Sequence, residues 1–300
     1  GDRLQLAQNR RLSGKCQLLQ KRGKHMSDGG AVAQHYTHGS LLRAIRSGVE
    51  KLGKTPETVT IDDLAPIDEF HIGGRRASDD FLSQLPLNDG THVLDVGCGL
   101  GGGSRYAASR FGCRVSGVDL TPEFVETGQV LCDWVGLRDR ITLQQGSALE
   151  MPFDDGSFDA AYMMHVGMNI ADKHGLFAEV ARVLKPGGVF GVYDVMGTGD
   201  DGLVFPLPWA ETPDTSAVAT AETYKSAFAD AGLTVSAERD RRQFALDFFA
   251  ELTARAASPS GPPPLGLHIL MGATGPQKVK NMVENIAAGR IAPIEMVARK

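Results

Sequence analysis

The sequence is short of cysteine and has no long apolar run. Its 300 residues include four cysteines, which are Cys16, Cys98, Cys113 and Cys132. None forms a Cys-x-x-Cys pair or lies near a histidine at zinc-ligand spacing, so we expect neither a disulfide framework nor a metal site. No apolar run approaches the ~18–20 residues that span a bilayer, and no stretch resembles a signal peptide. The sequence therefore predicts a cytoplasmic protein without membrane attachment.

The sequence also lacks an excess of positive charge. Acidic residues outnumber basic ones by 36 to 31, and the formal net charge is −5. There is no basic stripe with interleaved aromatic residues, which is the usual sign of a nucleic-acid surface. We therefore expect a small-molecule partner rather than nucleic acid or a membrane, with a homodimer left open.

The first 26 residues depart from this acidic balance. Seven basic side chains accompany one acid, Asp2: Arg3, Arg10, Arg11, Lys15, Lys21, Arg22 and Lys24. We expect residues 1–26 to be an extension that precedes a natural start near Met26. The alternative is a basic amphipathic arm that docks on a partner.

From Thr91 onward, short β-rich runs alternate with helical stretches. Such alternation is typical of parallel strands joined by right-handed crossovers. We predict strands at 91–96, 113–118, 141–145, 157–163, 188–195, 233–239 and 291–298. We predict helices between them at 103–111, 121–135, 172–184, 220–231, 243–257 and 275–288.

The segments around this core organise the rest of the chain. Apolar residues at near-helical spacing predict a helix over 30–52, and a glycine-bearing loop precedes a helix at 75–85. A Gly/Pro-rich stretch at 197–214 is too long for a plain connection and is typical of a binding segment. We therefore predict a helical lid over 27–90 and a main domain over 91–300. The main domain carries an insertion at 197–220 and helical additions at 243–288.

The strongest chemical signal is a strand that leads directly into a glycine-rich turn over 93–103. Gly97, Gly99 and Gly101 allow the backbone to adopt positive φ and let a ligand approach it closely. The glycines alone are a weak signal, since dinucleotide sites use similar ones. Asp95, two residues before Gly97, suits a cofactor with a cationic, amino-acid-like end better than a pyrophosphate.

A second signal is Asp119, at the end of the next predicted strand. An acid at this position can bind both hydroxyls of a ribose, and it follows the first glycine at about the expected ~20 residues. The alternative is an acid near the N-terminus of a helix, since Thr121-Pro122-Glu123 begins the next one.

Weaker motifs follow in order: Gly-Ser-Ala-Leu at 146–149, Ser-Phe-Asp at 157–159 and Leu-Lys-Pro-Gly-Gly at 184–188. In this order, residues 91–195 resemble the class I S-adenosylmethionine (SAM)-dependent methyltransferases. The resemblance implies a doubly wound, Rossmann-like α/β fold with a mainly parallel seven-stranded sheet whose last strand is reversed.

The resemblance also implies a SAM site. Gly97 to Gly101, with Cys98 among them, would surround the methionine end, Asp119 would hold the ribose and Leu120 would lie beside the adenine. Ser147 and Ala148 would lie at the edge of the adenine. Many relatives carry an acid at the position of Ser147.

A closer resemblance covers about 30–195. Tyr-Thr at 36–37, Phe-His-Ile-Gly-Gly at 70–74 and Leu-Gly-Gly-Gly at 100–103 resemble phosphoethanolamine and sarcosine/dimethylglycine N-methyltransferases. This resemblance implies an N-terminal helix that acts as a lid, with Tyr36 near the transferred methyl group and Ile72 and Gly73 on SAM. The phosphobase enzymes carry an acid and a histidine where this chain has His165 and Asn169, which argues against phosphoethanolamine as acceptor.

His165 is the main catalytic candidate, because its position just past the fourth strand faces the methyl group in this fold. A histidine can act as a general base at neutral pH if the acceptor must lose a proton. The alternative is a hydrogen bond to SAM or to a loop carbonyl. Asn169 could orient the acceptor or cap the helix near Asp172.

Five side chains in the last third could line an apolar acceptor pocket, with ordinary core packing as the alternative. They are Phe205, Trp209, Phe249, His268 and Met271. As a group they favour an acceptor that is larger and less charged than sarcosine.

These observations predict an enzyme that transfers a methyl group from SAM to N or O of a small metabolite, with S-adenosylhomocysteine (SAH) as product. Closure of the N-terminal helices and the insertion would exclude water and fix the reacting geometry. One alternative is a biosynthetic enzyme of the same fold that cyclises or rearranges its substrate. Another is a protein that binds SAM without turnover.

Overall fold

The computed structural model describes Gly30 and residues 40–199, 202–256 and 263–300. The chain divides into two compact units, residues 1–37 and 38–300. Apart from Gly30, the first unit lies outside the described residues, and with it the predicted extension and Tyr36. All that follows concerns the second unit.

Seven strands form the sheet of the second unit, and their bounds agree with the predicted pattern. They are β1 (His92–Val96), β2 (Arg114–Asp119), β3 (Ile141–Gln145), β4 (Phe158–Met164), β5 (Leu184–Gly197), β6 (Thr234–Asp240) and β7 (Ile291–Arg299).

The helices of the described part fall into three groups along the chain. Before the sheet lie α1 (Leu41–Lys51), α2 (Ile61–Asp68) and α3 (Gly74–Leu82). The crossovers are α4 (Gly102–Phe111), α5 (Pro122–Trp134), α6 (Lys173–Val183) and α7 (Ala221–Asp230). The C-terminal additions are α8 (Arg242–Ala256), α9 (His268–Met271) and α10 (Gly275–Ala287).

The strand order is β3-β2-β1-β4-β5-β7-β6. Strands β1 to β5 pair in parallel, and β7 is antiparallel to both β5 and β6. The predicted doubly wound sheet with a reversed last strand is therefore confirmed. The order changes direction between β1 and β4, and in such sheets ligands bind at the carboxyl ends of the strands beside that point.

Alternate residues of each strand enter two apolar cores, one on each face of the sheet, as the two-residue period of a strand requires. Leu94 and Val96 pack on one face with α6 and α7, whereas Val93 and Val115 pack on the other with α3 and α4. Because both faces are covered by helices, β1 is buried on both sides, as its apolar sequence predicts.

One strand boundary differs clearly from the sequence prediction, and the start of the N-terminal helix lies outside the described residues. β5 begins at Leu184 rather than 188, because Leu184 pairs with Phe158 before the chain bulges through a turn at Gly187, whose φ is +77°. The N-terminal helix predicted over 30–52 is described from Leu41. A capping box at Thr60 begins α2: the Thr60 hydroxyl accepts the Asp63 N–H, and the Asp63 carboxylate accepts the Thr60 N–H.

Candidate functional site

The glycine-rich turn lies at the carboxyl end of β1, beside the point where the strand order reverses. Gly97, Gly99 and Gly101 have φ values of +71°, +53° and +75°, a region that side-chain-bearing residues rarely adopt. The N–H groups of Gly97 and Cys98 both donate to the Val118 carbonyl, at 2.8 and 3.1 Å. The turn is therefore held firmly against β2.

The glycines of this turn have two different surroundings. A Cβ at Gly97 would lie 2.5 Å from the Val166 side chain, and one at Gly102 would lie 2.4 Å from the Asp68 carbonyl oxygen. A Cβ at Gly99 would meet nothing nearer than the Phe124 ring at 4.0 Å. Gly97 and Gly102 thus permit close packing, whereas the backbone at Gly99 faces open space that a ligand can fill.

Replacing Gly97 with alanine is expected to disrupt the turn much more than the same change at Gly136. Gly136 also has a positive φ, +70°, but an added Cβ meets nothing within 4 Å. Both variants bear the left-handed strain of roughly 1–2 kcal/mol, and G97A adds an overpacking cost of about 1–3 kcal/mol. Urea unfolding measures the difference. Equal free energies of unfolding for the two variants would contradict the close approach of Val166.

Asp95 lies beneath the turn and is 4% exposed. Its Oδ2 accepts hydrogen bonds from the Ser104 hydroxyl at 2.6 Å and the Tyr162 hydroxyl at 2.9 Å. Burial raises the pKa of Asp95 to about 6, and the two hydrogen bonds only partly offset that rise. Asp95 therefore ties β1 to the start of α4 and to β4.

The raised pKa makes the contribution of Asp95 to stability depend on pH. A carboxyl that binds its proton more tightly in the folded state adds stability below its ordinary pKa of 3.8 and loses it as pH rises through about 6. Relative to D95N, the parent should lose up to about 3 kcal/mol of unfolding free energy between roughly pH 4 and 7. Urea unfolding of both proteins across this range tests it. The raised pKa of Asp95 would be contradicted if the difference in unfolding free energy between the parent and D95N stayed constant as pH rises, or changed in favour of the parent.

Asp119 ends β2 opposite the turn. Its Oδ2 accepts the Gly99 N–H at 2.9 Å and its Oδ1 accepts the Thr121 N–H at 2.8 Å. Burial raises the pKa of Asp119, while these backbone donors oppose the rise. One carboxylate therefore joins the glycine turn to the start of α5. The contact with the Thr121 N–H agrees with the interpretation of Asp119 as a helix-start acid, and its role in binding a ribose stays a prediction.

The other expected cofactor contacts lie on the same edge of the sheet. Cys98 turns its side chain inward, where its Sγ lies 2.8 Å from the position of a Cβ on Gly117, so only its backbone faces the turn. Leu120 follows β2 and is half-buried, as are Ser147 and Ala148 in the turn after β3. The Ser147 hydroxyl accepts the Leu149 N–H at 3.1 Å and so shapes that turn.

A fully buried ion pair joins α2 to the glycine turn. The Arg105 guanidinium contacts both carboxylate oxygens of Asp68, with Nε to Oδ2 at 3.2 Å, and both side chains are inaccessible to solvent. The same guanidinium donates to the Leu100 carbonyl at 2.7 Å. The residues before β1 are thus linked directly to the turn that follows it.

The 70–74 segment, predicted to touch SAM, lies beside β5 and the loop after β4. The Tyr193 hydroxyl donates to the Ile72 carbonyl at 2.9 Å, and the Ile72 N–H donates to Nε2 of His165 at 3.4 Å. Gly73 has a φ of +95° and lies so near Phe244 that a Cβ would be 2.3 Å from that ring. The structure therefore brings Ile72, Gly73 and His165 together.

His165 has the only positive φ, +56°, of any non-glycine residue in the part of the chain that the structure describes. Its own N–H donates to the Tyr193 carbonyl at 2.8 Å, and the two rings are 4.7 Å apart, edge to face. Backbone strain of this kind is often found at functional sites. Burial, with His71 nearby, holds the pKa of His165 well below 6.5.

A buried polar cluster behind His165 was missed by sequence reasoning. His71 Nε2 lies 3.1 Å from the Ser78 hydroxyl and 3.4 Å from Glu69 Oε2, and Ser78 donates to that same oxygen. Glu69 also contacts Arg75, with Oε1 to Nε at 2.7 Å. The signal available in the sequence was the acid Glu69, two residues before His71.

Asn169 lies in the one-turn 3-10 helix Gly167–Asn169, after His165. Its amide Nδ2 donates to the Val166 carbonyl at 3.3 Å. It does not cap α6, because that cap is Asp172 itself, whose carboxylate accepts the Gly175 N–H at 2.8 Å. A role in orienting an acceptor stays a prediction.

An apolar cluster borders this site, formed by the insertion, α8 and α10. We call it the acceptor-side cluster. It includes Ile72, Met168, Leu207, Trp209, Phe249 and Met282 as buried members, with Phe205 packed against them. His268 is exposed and Met271 is half-buried in α9, and neither belongs to this cluster. Three of the five predicted pocket residues therefore lie together.

The insertion is held in place by side chains of α10. Asn285 forms two hydrogen bonds with the backbone of Val204, from N–H to Oδ1 at 3.0 Å and from Nδ2 to the carbonyl at 2.9 Å. Asn281 donates to the Pro206 carbonyl at 3.0 Å. These side-chain contacts satisfy backbone groups of the irregular insertion in place of pairing with a neighbouring strand. They also hold in place the segment that carries Trp209.

No group of three or more His, Cys, Asp or Glu side chains in the described ranges could hold a metal ion. None of the helices described there is long and apolar enough to cross a membrane.

Comparison with known proteins agrees with this geometry. Residues 94–192 match the family model described as a methyltransferase domain. A 95-residue stretch is 45% identical to a probable chloroplastic tocopherol O-methyltransferase of Oryza sativa subsp. japonica, covering 32% of this chain and 26% of that protein. The chain spans less than two thirds of the length of the curated relatives that it matches first.

Two solved structures share the fold at low identity. Phosphoethanolamine N-methyltransferase 2 of Haemonchus contortus has a TM-score of 0.66 at 22% identity, covering 85% of this chain and 59% of that one. Geranyl diphosphate C-methyltransferase of Streptomyces coelicolor A3(2) has a TM-score of 0.61 at 23% identity, covering 75% and 76%.

Together, these findings define the class of the protein. The described second unit has the fold of the class I SAM-dependent methyltransferases, and residues 94–192 within it match the methyltransferase-domain family. The resemblance drawn from the motifs and the predicted fold class are both confirmed.

Proposed function

We propose that this chain is a SAM-dependent methyltransferase that acts on a heteroatom of a small, largely apolar molecule. The observation that carries the proposal is the open backbone at Gly99, held by the Asp119 carboxylate at the carboxyl ends of β1 and β2. A glycine turn with this acid beside it suits a cofactor that has a ribose and an amino-acid end.

The residues present fit SAM. The backbone of the 97–101 turn would surround the methionine end, and Asp119 would accept hydrogen bonds from the ribose hydroxyls. Leu120, Ser147 and Ala148 lie where the adenine would extend, at the ends of β2 and β3. Ile72 and Gly73 approach from the other side, because the Tyr193 hydroxyl and His165 hold their segment there.

SAM, when bound, supplies a methyl group on a positively charged sulfur. The protein then has to align the acceptor atom with the S–CH₃ bond and exclude water, since positioning supplies much of the acceleration in such a displacement. His165 and the acceptor-side cluster lie on the same side of the glycine turn, because Val166 packs on Gly97 and Ile72 belongs to that cluster. They are therefore placed to hold the acceptor.

The acceptor-side cluster supports an apolar acceptor. Trp209 and Phe249 are at most 7% exposed, and Ile72 and Met168 join them in one continuous cluster. Ligand sites of this type are mostly apolar, with a few polar groups that fix orientation. The rice relative is named as a probable tocopherol O-methyltransferase, and methylation on oxygen agrees with this proposal.

Calorimetric titration with SAM and SAH, followed by an acceptor screen, tests the proposal. The screen uses matched phenols, amines and carboxylic acids on naphthalene and indole rings, with SAH release as the readout. Binding of SAM with SAH release for an aromatic acceptor is the expected result. Binding without release for any acceptor would favour a binding protein or a rearranging enzyme, and no binding would reject the cofactor assignment.

A further inference from the structure

The orientation of the His165 ring fixes which of its nitrogens can serve the acceptor. The Nε2 atom accepts the Ile72 N–H at 3.4 Å, while the Tyr193 ring lies edge-on at 4.7 Å. A neutral imidazole carries one proton, so a ring that accepts through Nε2 carries that proton on Nδ1. The free nitrogen of the His165 ring is thus Nδ1, and it is an N–H donor.

The Nδ1 atom of His165 is buried and has no hydrogen-bond partner among the residues that the structure describes. Buried N–H groups in proteins are nearly always paired, and an exception at a site edge points to a ligand. On the other side of the ring, Nε2 already accepts the backbone N–H of Ile72. If Nε2 took a proton from the methyl acceptor, its new N–H would point at the Ile72 N–H.

The groups around His165 keep the ring neutral. His71 lies 6.0 Å away between ring centroids, and Tyr193 packs against the ring from β5. Beyond His71 stand Glu69, Ser78 and Arg75, whose polar atoms contact one another rather than His165. Burial and the neighbouring His71 lower the pKa of His165 well below 6.5, so the donor form persists at neutral pH.

We propose that His165 donates a hydrogen bond from Nδ1 to an anionic oxygen of the acceptor, so that the acceptor is an ionised phenol or enol rather than an amine. The inference rests on the proposed function and specifies its substrate class. An amine presents one lone pair, which must point at the methyl carbon, and its own N–H groups would oppose the His165 donor. An oxyanion has one lone pair for the methyl carbon and another that can accept the hydrogen bond from His165 Nδ1.

The chemistry balances without a general base. The acceptor enters as an oxyanion, its lone pair forms the new O–CH₃ bond, and the S–CH₃ bonding electrons move to sulfur to give SAH. No proton remains to be removed, so a donor suffices where a base would otherwise be needed.

The tautomer of His165 is directly measurable by long-range ¹H–¹⁵N NMR on the full chain with ¹⁵N-labelled histidine. The signal of His165 among the eight histidines is identified by its loss in H165N. We expect a neutral ring protonated on Nδ1 between about pH 5.5 and 8.5. A ring protonated on Nε2, or one that titrates near its ordinary pKa, would overturn the proposal.

The acceptor class is tested with 4-nitrophenol, whose absorbance reports its ionisation, bound to the SAH complex. We expect the apparent pKa of the bound probe to fall by about one unit, a tenfold preference for the anion. The H165A variant should lose this pKa shift of the bound probe. The H165N variant should keep most of it, because asparagine tolerates positive φ and its Nδ2 replaces Nδ1 as the donor.

Failure to bind 4-nitrophenol, or equal affinity for 4-nitroaniline, would overturn the oxyanion assignment. Failure to bind SAH in the preceding titration would instead reject the proposed function. The tautomer is read without SAH, so the two failures are distinguishable.

Discussion

Replacing Asp119 with alanine is expected to weaken SAH binding by about 100-fold or more. Each charge-assisted hydrogen bond that a ribose hydroxyl donates to a carboxylate contributes roughly 1.5–3 kcal/mol, and about 1.4 kcal/mol changes the dissociation constant tenfold. Asp119 also anchors the Gly99 and Thr121 N–H groups, so its loss loosens the turn as well. Isothermal titration calorimetry measures the affinity.

Two further variants separate ligand contact from anchoring. D119N keeps the shape and one acceptor oxygen, so it should retain more of the folding stability than of the affinity. Asp139 is exposed beyond α5, and D139A should bind SAH as the parent does. An unchanged dissociation constant for D119A would remove Asp119 from the cofactor site.

Replacing Arg105 with leucine is expected to lower the free energy of unfolding by about 3–5 kcal/mol, because it leaves the buried Asp68 carboxylate without its partner. The change also removes the donor to the Leu100 carbonyl, so SAH affinity should fall with stability. Urea unfolding and calorimetry measure the two effects.

A double variant and a surface pair are the controls. D68L/R105L should be more stable than R105L, since burying two apolar side chains removes the unpaired charge. The ion pair of Arg138 with Asp133 is largely exposed, and R138L should cost less than about 1 kcal/mol. If R105L is no less stable than R138L, the ion pair between Arg105 and Asp68 does not hold α2 to the glycine turn.

The fold and the cofactor edge were predictable because their signals are local. Apolar runs of strand length alternating with helical periods specify a parallel sheet wherever they occur. Glycines at 97, 99 and 101 predict positive φ because other residues cannot adopt it at low cost, and the structure has all three. Asp119 was singled out by its fixed distance from the turn along the chain, and the structure places its carboxylate on the Gly99 N–H. Its contact with a ribose stays a prediction.

Other features were misjudged or missed because they depend on distant residues. Asp95 looked like a ligand-facing acid, yet Ser104 and Tyr162 enclose its Oδ2 beneath the turn. The start of β5 moved to Leu184 because it pairs with Phe158 on another strand. The polar cluster of Glu69, His71 and Ser78 shows no periodicity that a sequence pattern could reveal.

The sequence by itself determined the glycine turn after β1 and the acid that ends β2, because both depend on residue types at fixed positions along the chain. It therefore predicted a site for a ribose-bearing cofactor at the ends of these two strands. Only the tertiary structure decided what His165 can do. The atom that occupies its Nε2 belongs to Ile72, 93 residues earlier in the chain. Hydrogen-bond roles in a buried site are set by which donors and acceptors the fold brings within about 3.5 Å, and chain spacing does not determine that.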